Sequence, residues 1–268
     1  MSIPESILQR KGVRKMADIP AEVLQLLNEG KIATVNLTEW LAIDQHTLLK
    51  GFLEQIGEKT WFADIEESLL AQKKPSANSN AKTIGLAFGQ LLNQESLDKY
   101  FAGHSSDVVR CWHCWASSIQ VDEVTALLDV MRPFAADQHF GIREVVIFAS
   151  KERLAANLSK TLPILAEWAL SEDENIRRYA VEVIRPIGVW TKKIPTFQDQ
   201  PDLALPVLQA LKADSAKYVQ NAVANWLNDA SKSKPDWVKE ICHQWDTSSN
   251  NKATAYIIKR ALRTINKK

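Results

Sequence analysis

The hydrophobic positions of this chain recur with helical spacing. On a helix drawn at 100° per residue, one side of residues 176–187 is apolar: Ile176, Ala180, Val183, Ile184 and Ile187. The opposite side is charged: Arg178, Glu182 and Arg185. The pattern predicts a helix over 176–187 with one face in a core and a charged face turned elsewhere.

The start of this helix has relatives elsewhere in the chain. Similar runs begin at four apolar anchors, which are 33, 34 and 43 residues apart: Val109, Ile142, Ile176 and Val219. Amphipathic runs at 124–131, 162–170 and 203–211 lie between the anchors. Two helices per unit at this period indicate HEAT-type repeats. We therefore predict an all-α solenoid with a concave basic groove, in a single domain over 1–268 whose repeats are clear over 101–268 and less regular over 1–100.

Further elements follow from the same patterning. Additional helices are predicted at 21–28, 38–41, 46–56, 61–72 and 253–266. Residues 73–82 have linker composition and are predicted as a loop. The extra length of the longest interval falls around 188–201, which is predicted as a loop at one edge of the solenoid, a common place for function.

Equivalent positions of the four repeated helices form a predicted ligand stripe. It comprises Cys111, Trp115 and Ser118, then Glu144, Phe148 and Lys151, then Arg178, Glu182 and Arg185, and finally Asn221, Asn225 and Asn228. Arginines and asparagines hold phosphates and sugars, and aromatic faces stack on bases. A carboxylate can stabilise an oxocarbenium-like transition state. Two alternatives stay open: Arg178 and Glu182 form an ordinary i, i+4 ion pair, and the aromatic residues pack against neighbouring helices.

Composition narrows the classes of function. Hydrophobic residues make up 46% and the net charge is only +1, whereas residues 177–193 alone carry five Lys or Arg and one Glu. Nucleic-acid binding therefore depends on a local patch. No nucleotide-binding glycine fingerprint, serine-hydrolase elbow or zinc-protease motif is present, and no cofactor is expected. With three cysteines and neither a signal peptide nor a membrane span in the sequence, we expect a cytoplasmic protein.

Two smaller groups have a structural interpretation. Cys111 and Cys114 lack a second ligand pair, so buried thiols are favoured over a metal site. His139 is interpreted as satisfying a helix end, with Asp137 as a candidate N-cap of the same helix. Asp229 lies about 40° from the stripe and is a reserve carboxylate.

Several runs of the chain resemble one known family. RRYAVEVIRPIGVW and VQNAVANWLNDASKSKPDWV, together with RKGVRKMADIPAEVL and HFGIREVV, resemble the HEAT-like repeat DNA alkylation repair proteins of the AlkC/AlkD group. The resemblance implies an α-solenoid that holds duplex DNA. It also implies a glycosylase that removes N3- and N7-alkylated purines without drawing the base into a pocket.

The resemblance assigns roles to individual positions. Its paired arginines correspond to Arg177 and Arg178, and its carboxylates correspond to Glu182 and, less directly, to Glu144. Its tryptophan-rich helix is replaced here by Phe140 and Phe148, and a later tryptophan by Asn225.

The predicted site is therefore divided by role. The catalytic residues are Glu182 and Glu144. The lesion contacts are Trp115, Phe148, Trp190 and Asn225. The DNA-binding residues are Lys151, Arg177, Arg178, Arg185, Lys192, Lys193, Asn221 and Asn228. The expected partner is duplex DNA with alkylated bases, bound by a monomer with no membrane association. A non-catalytic DNA-binding module and a protein-binding scaffold remain the alternatives.

Overall fold

The computed structural model describes residues 3–188, 190–248 and 250–267. Every regular element in these ranges is helical, which confirms the all-α class. The first nine α-helices are α1 Glu5–Leu8, α2 Ala21–Asn28, α3 Leu37–Ala42, α4 Gln45–Ile56, α5 Phe62–Leu70, α6 Ala77–Leu91, α7 Gln94–Phe101, α8 Asp107–Ser118 and α9 Val124–Ala135. The remaining ones are α10 Phe140–Ala155, α11 Leu158–Trp168, α12 Glu174–Glu182, α13 Thr196–Asp199, α14 Leu205–Ala210, α15 Lys217–Ala230, α16 Pro235–Ser248 and α17 Lys252–Ala261. Short 3₁₀ turns lie at Met16–Asp18, Lys59–Trp61, Pro201–Ala204 and Ile265–Lys267.

The chain divides into two compact units. Unit 1 contains residues 1–122 and 139–149, and unit 2 contains residues 123–138 and 150–268. Helix α10 contributes residues to both units. The single continuous domain expected from the sequence stays a prediction.

The core of unit 1 is aromatic and is built where α6 and α8 pack closely. Phe52, Phe88 and Trp112 are buried there, with ring centroids 5.6–6.2 Å apart. A Cβ atom built on Gly85 of α6 would lie 2.7 Å from the carbonyl oxygen of Trp112. Only glycine therefore allows the two backbones to approach this closely.

The predicted loop at 73–82 is wrong over its second half. Helix α6 begins at Ala77 because Ser76 caps it. The Ser76 hydroxyl accepts the backbone N–H of Ser79, whose own hydroxyl accepts the N–H of Ser76. This reciprocal capping box satisfies donors at the helix start. The polar residues of 73–82 therefore include the start of a helix as well as a loop.

The helix pairs predicted for the repeats are present in unit 2. Helices α9, α11 and α14 overlap the predicted first-helix runs. Helices α12 and α15 each begin two residues before the predicted second-helix anchors. Among the described residues, no helix combines the length and apolar character that a membrane crossing needs.

The predicted helix over 176–187 ends five residues early. Helix α12 starts after Asp173, whose side chain accepts the N–H of Asn175, and it ends at Glu182. Proline has no N–H to donate to the carbonyl four residues back, and its ring disfavours the helical conformation of the residue before it. Pro186 therefore keeps Arg185 outside the helix, in an irregular segment.

Candidate functional site

A network of charged side chains forms where α12 ends. The Arg185 guanidinium donates from Nε and Nη2 to Oδ2 of Asp229, at 3.0 and 2.8 Å. Its Nη1 donates to Oε2 of Glu182 at 3.3 Å. Arg185 thus joins the last residue of α12 to the C-terminal end of α15. The sequence placed Arg185 and Glu182 together correctly but left Asp229, the residue between Arg185 and Lys232, in reserve.

The same network includes a buried lysine from α10. Lys151 is only 4% exposed, and its ammonium donates to the Arg185 carbonyl oxygen at 2.9 Å and to the Thr191 hydroxyl at 3.0 Å. These two bonds hold both ends of the segment that follows α12. Lys151 was predicted to contact DNA, but its ammonium binds the protein's own loop.

Backbone geometry in this segment is unusual. Gly188 has φ 55°, and a Cβ atom there would lie 2.8 Å from the Lys151 ammonium and closer still to the Thr191 hydroxyl. Trp190 has φ 59° and a side chain that is 69% exposed. A bulky residue with positive φ is uncommon, and such strain concentrates at functional sites. The loop thus presents a large aromatic ring to solvent at a conformational cost.

The charged groups of the network shift the pKa values of Lys151 and Arg185. Burial, and then the nearby Arg185 charge, lower the pKa of Lys151 to about 8, although Glu182 and Asp229 oppose this. Burial alone would lower the pKa of Arg185, but the carboxylates of Glu182 and Asp229 outweigh it and raise that pKa. Arg185 therefore stays charged, and the two carboxylates stay close to a fixed cation.

The paired arginines of α12 differ in their surroundings. Arg177 donates to both carboxylate oxygens of Asp214, at 2.7 and 3.1 Å, and to the carbonyl oxygens of Ser171 and Glu172. Hydrogen bonding to Asp214 raises the pKa of Arg177. Arg178 is 6% exposed, and its guanidinium lies 4.9 Å from the ring centroid of Tyr218. Both side chains contact the protein itself, so they anchor α12 to the start of α15.

The three asparagines of α15 bind the C-terminal part of unit 2. Asn221 Oδ1 accepts from the Tyr256 hydroxyl at 2.8 Å, and Asn225 Oδ1 accepts from Arg263 at 3.0 Å. Asn228 is buried and donates to the Ala261 carbonyl oxygen at 2.9 Å. The stripe inferred from helical phase is thus partly an interface between α15 and α17, which the repeat pattern did not reveal.

Two lysines of the loop after α12 are exposed. Lys192 forms an ion pair with Glu152 at 2.6 Å, in which both side chains are at least 70% exposed. Lys193 is also exposed. An exposed pair of this kind contributes little to stability, so the Lys192 ammonium can exchange its contact with Glu152 for another one.

The remaining predicted residues lie in unit 1. Trp115 is largely buried, with the Lys82 ammonium 5.3 Å from its ring centroid, while Glu144 and Phe148 on α10 are half-buried. His139 directly precedes α10 and accepts the N–H of Gly141 at its Nδ1 atom, which confirms its helix-end role. The prediction of Asp137 as the N-cap of α10 stays a prediction.

All three cysteines are buried. Burial raises the pKa of the Cys111 thiol well above its usual value. In the part of the chain that the structure describes, no cluster of three or more metal-ligating side chains occurs.

Comparisons with known proteins agree with the resemblance found in the sequence. Residues 144–265 match the family described as DNA alkylation repair enzyme. This range includes the charged network of Lys151, Glu182, Arg185 and Asp229. An uncharacterised protein of Bacillus subtilis (strain 168), YhaZ, is 37% identical over 121 residues, which are 45% of this chain and 33% of YhaZ. The match thus spans about a third of that relative's length.

Two solved structures share the fold. Pseudomonas fluorescens alkylpurine DNA glycosylase AlkC, bound to DNA containing an abasic site analog, is 24% identical with a TM-score of 0.64 over 96% of this chain and 66% of AlkC. AlkD2 from Streptococcus mutans is 25% identical with a TM-score of 0.58 over 76% of this chain and 97% of AlkD2. The family match thus covers somewhat less than half of the chain, and the solved structures share its helical fold.

Proposed function

We propose that this chain is a DNA glycosylase that hydrolyses the N-glycosidic bond of N3- and N7-alkylated purines in duplex DNA, without flipping the base. One observation carries the proposal. The loop that bears the exposed Trp190 ring is fixed beside a carboxylate–guanidinium network inside the family-matched region.

The chemistry of the substrate suits such a site. An N3- or N7-alkylated purine is already cationic, so it leaves as a neutral base when its bond to C1′ breaks. The positive charge then passes to the sugar as an oxocarbenium ion, and water adds to C1′ with loss of a proton. The protein's task is to stabilise a cation near C1′, and no general acid for the base is needed.

Glu182 is the carboxylate we assign to that task. Arg185 holds its Oε2 atom, which fixes the carboxylate in one orientation. Asp229 binds two donors of Arg185, so the guanidinium charge is shared and does not fully neutralise Glu182. Glu144 on α10 is proposed as a second carboxylate.

Contacts to the DNA are assigned to the exposed groups around this network. Lys192 and Lys193 bind backbone phosphates, and Trp190 stacks on or beside the damaged nucleotide. Trp115 and Phe148 remain predicted lesion contacts of unit 1. Lys151 acts indirectly, because it holds the loop that presents these groups.

The test is release of 3-methyladenine or 7-methylguanine from methylated duplex DNA. Wild-type protein is expected to release the base, and a Glu144→Gln, Glu182→Gln double variant is expected to lose about 100-fold in rate. Glu167→Gln, with an exposed side chain on α11, is the matched control and should act like wild type. Undiminished release by the double variant contradicts the assigned roles.

Measurements of base release and of DNA affinity together separate the alternatives. Salt-sensitive binding of duplex DNA without base release would identify a non-catalytic DNA-binding module. Absence of DNA affinity even at low salt would favour a protein-binding scaffold. The absence of base flipping is tested with adducts of increasing size, because a closed pocket excludes a bulky N7 substituent whereas an open surface accepts it.

A further inference from the structure

Helices α15 and α17 bring two cationic side chains to one aromatic ring. The Lys217 ammonium lies 2.7 Å from the ring centroid of Tyr256, and the Arg260 guanidinium carbon lies 5.5 Å from it. The Tyr256 hydroxyl donates to Asn221 of α15, which fixes the ring. Arg263 completes the group, which we name the α17 cation cluster: Lys217, Arg260 and Arg263.

The cluster is held in place by neutral partners. Arg263 donates from Nη2 to Asn225 Oδ1 at 3.0 Å and from Nη1 to the Arg260 carbonyl oxygen at 2.7 Å. Lys217 donates to Gln220 at 3.4 Å. Neutral acceptors orient the cations but leave their charge uncompensated.

Three other buried or half-buried arginines of this protein have carboxylate partners. Arg10 pairs with Glu39, Arg177 with Asp214, and Arg185 with Asp229. In the described ranges, by contrast, no carboxylate lies within ion-pair distance of Lys217, Arg260 or Arg263. The three cations of the cluster thus lie close together without a carboxylate of the described residues at contact distance, an arrangement that suits an anion from outside the chain.

Two further observations show that the cluster is incomplete on its own. The Arg260 Nε atom is buried and finds no hydrogen-bond acceptor in the described part of the chain. Burial, then repulsion from Arg260 and to a lesser degree from Arg185, lower the pKa of Arg263, with Asp229 opposing. A buried donor without an acceptor is destabilising.

We propose that the α17 cation cluster is a binding site for backbone phosphates of the duplex, separate from the residues predicted from sequence. A phosphodiester offers acceptors to two guanidinium groups at once, and the Tyr256 ring covers a deoxyribose beside it. The asparagines of α15 are then positioning residues: Asn221 and Asn225 orient the groups that touch DNA. This proposal rests on the DNA partner of the proposed function but not on base release.

The test is binding to a duplex with a stable abasic-site analogue, which needs no catalysis. Fluorescence anisotropy is measured across a range of salt concentrations for wild type and for an Arg260→Gln, Arg263→Gln double variant. Loss of two phosphate contacts should reduce the slope of log K against log salt by about 1.8 and weaken binding at least tenfold near 0.1 M salt. The matched control, Lys234→Gln with Lys239→Gln, removes two exposed charges from the region of α16 and should leave the slope within about 0.5 of wild type.

The outcomes are decisive in each direction. An unchanged slope in the double variant, or an equal decrease in the control, overturns the site even if the protein releases alkylated bases. A selective decrease supports the site even if no base is released. If the double variant lacks a cooperative thermal transition, Arg260→Gln alone replaces it, with an expected decrease of about 0.9. Inorganic phosphate is tested separately. If phosphate stabilises wild type but not the variant, and the variant keeps the wild-type DNA slope, the cluster is a free-phosphate site. That result would overturn the DNA assignment.

Discussion

The two arginine–aspartate bridges of unit 2 provide a controlled comparison between structure and function. Arg177 binds both oxygens of Asp214 and Arg185 binds Oδ2 of Asp229, each through two donors. Their burial is nearly the same, with side-chain exposures of 14% and 5% in the first bridge and 12% and 6% in the second. Only the second bridge contacts Glu182 through its arginine.

Asp214→Asn and Asp229→Asn should therefore destabilise the protein to a similar extent. Removing one partner of a buried pair leaves an uncompensated charge and costs about 3–5 kcal/mol, so about 3 kcal/mol is expected where some water reaches the pair. At roughly 2–4 °C per kcal/mol, the melting temperature should fall by about 6–12 °C in each variant. Asparagine keeps one carbonyl oxygen, so the loss is smaller than for alanine.

The two variants should differ in base release. Without Asp229, Arg185 can pair with Glu182 alone and neutralise it more fully, so the single-turnover rate should fall about 10- to 100-fold, or about 1.4–2.7 kcal/mol. Asp214→Asn should release base at nearly the wild-type rate when both are assayed well below their melting temperatures. An equal loss of rate in both variants would refute the special role of the second bridge.

Two further predictions concern the loop after α12. The folded-state pKa of Lys151, about 8, is below its usual 10.5, so the unfolded chain binds the proton more tightly and the cost of burying the charge is present below pH 8. Urea unfolding should show wild type gaining about 3 kcal/mol relative to Lys151→Met between about pH 8 and 10.5; a pH-independent difference contradicts this. Because Trp190 has positive φ, Trp190→Gly should be about 1 kcal/mol more stable than Trp190→Ala, while both release base at least about tenfold more slowly. Equal stability of the two variants, or unaltered release, is the contrary result.

The helices could be predicted from the local sequence because the apolar residues of each helix recur with helical spacing. All four anchors lie within observed helices and are buried: Val109, Ile142, Ile176 and Val219. Apolar spacing decides which face of a helix is buried before any partner is known.

Helical periodicity could not predict the contacts of residues outside regular helices or the contacts between distant helices. A single residue, Pro186, keeps Arg185 outside the helix, so the bond between Arg185 and Asp229 does not follow from the helical phase of either residue. The pairing of Asn225 with Arg263 depends on how α17 packs on α15, which is a long-range contact with no local signature. The strain at Trp190 depends on the loop that Lys151 holds, and periodicity carries no information about it.

The most direct test of the central claim is the single-turnover rate of base release from methylated duplex at saturating protein, where weaker binding does not enter. Wild type and Glu167→Gln are predicted to release 3-methyladenine or 7-methylguanine at the same rate, with Glu182→Gln about 100-fold slower. No release by wild type under these conditions, or equal rates in all three proteins, would contradict the account.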